Sequence, residues 1–144
     1  MLHDGRVQKN ATAPFGIRMP EGRALERAVP SALAAQTILP VLSPDEMAGQ
    51  KGENDVANAV DADHIRGPDG AWELLARRVD AIPAYKTRFA ELNGARPVHI
   101  TDIAVVLADF ITVEFYAKQS PYDAFLIGNS AALTDAQKRG LTLF

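Results

Sequence analysis

The sequence predicts an all-α protein, on three observations. Beyond position 30, apolar residues recur at three- and four-residue spacing. Ser, Thr and Asn stand where helices would begin, and Gly or Pro where they would end. No run alternates polar and apolar residues as a half-buried strand would. The expected architecture is an irregular Pro/Gly-rich N-terminal segment, residues 1–30, then several short helices around a long buried helix within residues 31–144.

Pro14, Gly16, Pro20, Gly22 and Pro30 recur too often for a helix, so residues 1–30 are expected to be extended and to wrap. Ser31 caps the first helix, which Pro40 ends. Ser43-Pro44-Asp45-Glu46 reads as a capping box: Ser43 at the N-cap, Pro44 at the first helical position, Glu46 at the third. Gly49 to Gly52 is a turn, and Asn54 to Asp63 a short helix. A helix starting near Asp69 carries Trp72, Leu75, Ala76 and Val79 on one stripe, which makes Trp72 a core residue, and Ile82-Pro83 breaks it. The next helix carries Tyr85, Phe89 and Leu92 and stops at Asn93-Gly94.

Thr101 is expected to cap the longest apolar run, Ile103 to Tyr116, which is apolar nearly all round and is therefore read as a central buried helix. Asp109 and Glu114 interrupt it, and it falls short of the roughly 20 apolar residues of a membrane span. Ser120-Pro121-Tyr122-Asp123 caps a short helix ending at Gly128-Asn129, with Tyr116 and Tyr122 read as packing residues. Thr134-Asp135-Ala136-Gln137 is a second capping box.

Length and composition bound the function. The 144 residues, 47% hydrophobic and 23% charged, suffice for one ordinary globular domain. A net charge of -3 argues against a nucleic-acid binder and against a polybasic membrane anchor. With no cysteine, the chain cannot carry a disulfide, a thiolate metal site, a cysteine nucleophile or a C-x-x-C-H haem attachment. The start lacks a basic leader with an apolar stretch, so no secretory signal is expected, and the apolar ending Gly140-Leu141-Thr142-Leu143-Phe144 reads as cut. Phosphate-binding loops, nucleophile elbows and H-E-x-x-H are absent. The Asp61/Asp63/His64 cluster reads as a solvated helix end rather than a metal site, and no metal is expected.

One family pattern runs collinearly through the chain. Asp4-Gly5-Arg6, then Gln36 four residues before Pro40, then Pro44-Asp45-Glu46-Met47, resemble the F-[WH]-D-G-R, Q-x-x-x-P and P-x-E-M motifs of the bacterial di-haem cytochrome c peroxidase family, which includes the MauG-type haem oxidases. Further along, Ile82-Pro83-Ala84-Tyr85 resembles I-P-x-Y. Ser120 to Gly128 resembles S-P-[FY]-D-x-[FY]-L-x-G, and Lys138 to Phe144 resembles [KR]-R-G-x-x-L-F.

The resemblance implies a cytochrome c peroxidase-like fold and the stretch between the family's two haem-attachment motifs, so that residues 31–144 form a single partial domain. It places Glu46 at the catalytic distal glutamate and Gln36 at the glutamine beside it. Pro40 falls at a pocket-lining proline, while His3, Arg6 and Met47 fall at cofactor-binding positions. His3 stands where many members have a tryptophan associated with electron passage between the haems, so transfer through tryptophan is in doubt.

The resemblance further implies haem c in the parent protein, though none in this chain as given. The parent would be periplasmic and would reduce hydrogen peroxide with electrons from a small cytochrome or cupredoxin, or carry out a MauG-like oxidation. The chain alone would be inactive, and a homodimer is compatible. The residues by themselves leave other readings open. Glu46 can be a capping glutamate, Gln36 a polar residue at a helix end and Pro40 a helix stop. The chain can be a complete cofactor-free interaction module or a small-ligand-binding bundle.

Overall fold

The computed structural model describes residues 4–116 and 119–144. Among them the chain is all-α apart from one very short antiparallel pair, β1 (Gln8–Lys9) and β2 (Ile17–Arg18), with Gln8 opposite Arg18 and Lys9 opposite Ile17. Seven α-helices follow: α1 (Ala32–Thr37), α2 (Asp55–Asp61), α3 (Ala71–Asp80), α4 (Pro83–Asn93), α5 (Ile100–Glu114), α6 (Pro121–Leu126) and α7 (Asp135–Leu143). The chain divides into two compact units, residues 1–110 and 111–144.

Most of the predicted punctuation forms. The Ser31 side chain accepts the Ala34 N–H and opens α1, and Asn54 accepts from Ala57 at α2. Gly94, in the left-handed conformation at φ 73°, ends α4. The Thr134/Gln137 capping box is complete, and Ser120 pairs with Asp123 in another. Two expected caps do not form. Ser43 makes no side-chain capping bond; its carbonyl instead accepts the N–H groups of Glu46, Met47 and Ala48, winding Pro44–Ala48 into a π-helical turn. Thr101 lies inside α5 and is buried, and the capping position falls to His99, whose carbonyl accepts the Asp102 N–H at 2.9 Å.

In the first unit several helix contacts in the core are made by small residues. Ala34 and Ala35 of α1, Ala71 of α3 and Ala104 of α5 are fully buried, which lets helix backbones approach closely. Thr37 Oγ1 reaches the Ala104 carbonyl at 3.3 Å across the α1–α5 contact. Trp72 is the large filler, 1% exposed, and its indole N–H donates to the Ile38 carbonyl at 3.4 Å. Val7, Ile17, Leu25 and Val29 bury their side chains in the same core and so tether the N-terminal segment to it.

The long helix departs from expectation. Only Ile100, Thr101, Ala104 and Ala108 of α5 are buried, while Val106, Leu107, Phe110 and Val113 stand between 40% and 76% exposed. α5 is therefore a half-buried helix, with Ile100 and the small residues Thr101, Ala104 and Ala108 inward and Val106, Leu107, Phe110 and Val113 outward, and not the fully buried centre that its composition suggested. Tyr116 and Tyr122, expected to pack, are 63% and 45% exposed. In the second unit α6 packs on the 3₁₀ turn Ser130–Ala132, and α7 follows its capping box.

Trp72→Ala should cost about 3–5 kcal/mol of unfolding free energy through the cavity it leaves. Trp72→Phe should cost about 1–3 kcal/mol, because the Ile38 carbonyl loses its buried donor. Urea denaturation followed by far-ultraviolet circular dichroism measures both.

Candidate functional site

The residues singled out by sequence lie on a short stretch of two consecutive turns. Proline at position 40 cannot continue α1, so the chain tightens into a 3₁₀ turn, Pro40–Leu42, and Pro44 then opens the π-helical turn. The two turns pack against each other, and the second also packs on α2. Pro40 opens the first of these turns and Glu46 and Met47 lie on the second, with Gln36 one helical turn before Pro40 near the end of α1. Gln36 and Pro40 are half-buried, whereas Glu46 is exposed and Met47 is 68% exposed.

Glu46 is not consumed by a helix cap. A capping-box glutamate would reach back to the N-cap N–H, but the π-helical winding directs three backbone N–H groups to the Ser43 carbonyl and leaves the box unmade. The Glu46 carboxylate lies instead in the field of Arg6. The Arg6 guanidinium is held protonated more firmly than usual, first by its side-chain hydrogen bond to Asp4 and then by the Asp4 charge; burial opposes this and Glu46 adds to it. Arg6 Nε donates to Asp4 Oδ2 at 2.6 Å, and Arg18 donates to the Gly5 carbonyl at 2.8 Å, tying this bend to β2. His3, the remaining predicted site residue, lies outside the described residues.

A second feature was not read from sequence. Helices α3, α4 and α5 enclose an open groove of about 450 Å³ between Val79, the α4 residues Tyr85, Phe89 and Leu92, and the α5 residues Ile103, Val106 and Leu107, with Arg88 as its one charged lining group. Its signal in the sequence is the all-round apolar character of α5. None of the five described site residues expected from sequence, Arg6, Gln36, Pro40, Glu46 and Met47, lines the groove. The Asp61/Asp63/His64 cluster is committed to ion pairs, Asp61 with Lys51 at 2.7 Å and Asp63 with Arg23 at 2.6 Å. Among the described residues no group of three or more His, Cys, Asp or Glu is placed to hold a metal ion, and no helix is long and apolar enough to cross a membrane.

These features define an all-α protein with an exposed acidic turn and, apart from it, an apolar groove. The family model for di-haem cytochrome c peroxidase matches residues 1–131, and the chain belongs to that family. No curated protein matches it, and no solved structure does.

The family is one of di-haem proteins. The residues here do not fit haem attachment or ligation. The chain has no cysteine for thioether bonds, among the described residues neither His nor Met lines the groove, and the His99 ring is engaged at the start of α5.

Because Ser43 makes no capping bond, Ser43→Ala should change stability by less than about 0.5 kcal/mol, whereas Ser31→Ala should cost about 1 kcal/mol. Paired denaturant titrations measure the difference, and equal losses would restore the capping box at Ser43.

Proposed function

We propose that this chain is the segment between the two haem-attachment motifs of a di-haem cytochrome c peroxidase-like protein, and that it supplies the distal wall of the peroxide-reacting pocket. The reading rests on family membership over residues 1–131, on the collinear motif order, and above all on an exposed Glu46 carboxylate left free of a helix cap. A bound haem would supply the oxidising chemistry, and its attachment belongs to sequence outside these residues.

The part left to this chain is proton handling. Splitting a peroxide O–O bond requires a base to take the proton from one oxygen and an acid to return it to the leaving oxygen, and one carboxylate oxygen of Glu46 serves both in turn. Gln36, one helical turn before Pro40, offers an amide to orient the peroxide. Pro40 and Met47 shape the wall, and Arg6 biases the local field. His3 sits at the position associated with electron passage. The parent is periplasmic and takes electrons from a small cytochrome or cupredoxin. Alone, the chain is inactive.

The exposed groove favours a second reading, a cofactor-free helical interaction module. The two are separated by the reading frame on either side of residues 1–144: C-x-x-C-H on both sides is expected, and its absence overturns the fragment reading.

In the haem-loaded parent, Glu46→Gln should lower peroxide turnover about 10²–10⁴-fold while leaving the haem absorption spectrum unchanged. Stopped-flow kinetics measure this, and a loss under about tenfold removes Glu46 from the chemistry.

A further inference from the structure

The start of α5 is held by an unusual cap. The His99 backbone N–H donates to Asp102 Oδ2 at 2.9 Å, as the third residue of a capping box would require. The reciprocal bond runs to the imidazole: the Thr101 N–H donates to His99 Nδ1 at 3.3 Å, and Thr101 Oγ1 lies 2.8 Å from the same nitrogen. Where capping boxes normally have a serine or threonine hydroxyl, this one has a ring nitrogen. That nitrogen can accept only while it is unprotonated.

The other face of the ring is also occupied. His99 Nε2 lies 3.6 Å from Glu26 Oε2, and Glu26 Oε1 accepts the Gly67 N–H at 2.9 Å. Glu26 thus joins the N-terminal segment, the loop before α3 and the cap of α5. The His99 side chain is only 11% exposed.

We propose that His99 is an acid-releasable cap of α5: with Nδ1 bare and Nε2–H turned to Glu26 it holds the first helical turn, and protonation at Nδ1 withdraws the acceptor from Thr101 and loosens that turn. A cation at a helix N-terminus also opposes the helix dipole. The first turn carries Ile103, one wall of the apolar groove, so the state of the cap reaches the groove.

The charged groups facing the ring are Glu26 and Arg27 from the N-terminal segment and Asp102 from α5 itself, the last paired with Arg96 at 2.6 Å. Burial first, then Arg27, push the His99 ring below its ordinary value, against Glu26 and Asp102. Asp102 does not titrate in the same window. Burial raises its carboxyl, but the Arg96 hydrogen bond, the His99 N–H and the nearby positive charges together hold it below the usual carboxylate range. A histidine depressed in the folded state leaves the unfolded chain binding more protons. The stability it contributes is therefore complete above about pH 6.5 and is lost as pH falls from there through the folded value.

Two measurements on the 144-residue chain test this. In an NMR titration of the histidine rings, His99 is expected to show a midpoint below about 6.5 and, when neutral, to carry its proton on Nε2. A midpoint at or above that value, or a proton on Nδ1, overturns the proposal. In thermal unfolding between about pH 7 and about pH 5, His99→Asn keeps a side-chain acceptor but cannot titrate. The wild type should lose more of its melting temperature over that window than the variant, and equal losses overturn the proposal. Should the variant fail to fold, the ring titration of the wild type decides alone.

Discussion

The hydrogen bond from the Trp72 indole to the Ile38 carbonyl organises the first unit. Ile38 follows the last residue of α1, where carbonyls lose their helical partners, and Pro40 makes that loss permanent by preventing another turn of α-helix. A carbonyl buried there without a donor would cost about 1–3 kcal/mol. The indole of α3 removes that cost while filling the space between helices whose other contact residues are mostly alanine. The same contact fixes where α1 ends, and so where the turns that carry Pro40 and Glu46 begin. The candidate turns follow directly in the chain from this core contact.

The alanine-rich contacts have a second consequence. Small residues inward on α5 mean large residues outward, because the helix is apolar nearly all round. A half-buried helix of that composition leaves an apolar groove beside α3 and α4.

Two helix starts show how capping chemistry bears on function. At Ser43 the sequence has every residue of a capping box, yet the chain winds into a π-helical turn that brings three N–H groups to one carbonyl and leaves Glu46 facing solvent. At His99 no serine, threonine, asparagine or aspartate occupies the capping position, yet a box forms with an imidazole as acceptor. In the first case a carboxylate is left exposed, and in the second a helix end is proposed to be sensitive to acid. Each has a neighbour from another element: α2 packs against the π-helical turn, and Glu26, far off in sequence, stands against the outer ring nitrogen of His99.

The sequence by itself determined the helical class, the family, most helix boundaries and the core role of Trp72. These follow from local chemistry: proline cannot continue a helix, Ser31, Asn54 and Thr134 satisfy free N–H groups within three residues, and Gly94 accepts a left-handed backbone. It also picked out Gln36, Pro40 and Glu46, through the spacing of motifs and not through any visible geometry. Only the tertiary structure decided which face of α5 is buried, whether Ser43 or His99 caps, and that Glu46 lies near Arg6 but apart from the apolar groove. Periodicity cannot select a face on a helix that is apolar all round, and a cap is a competition among acceptors that includes groups brought in from distant parts of the chain.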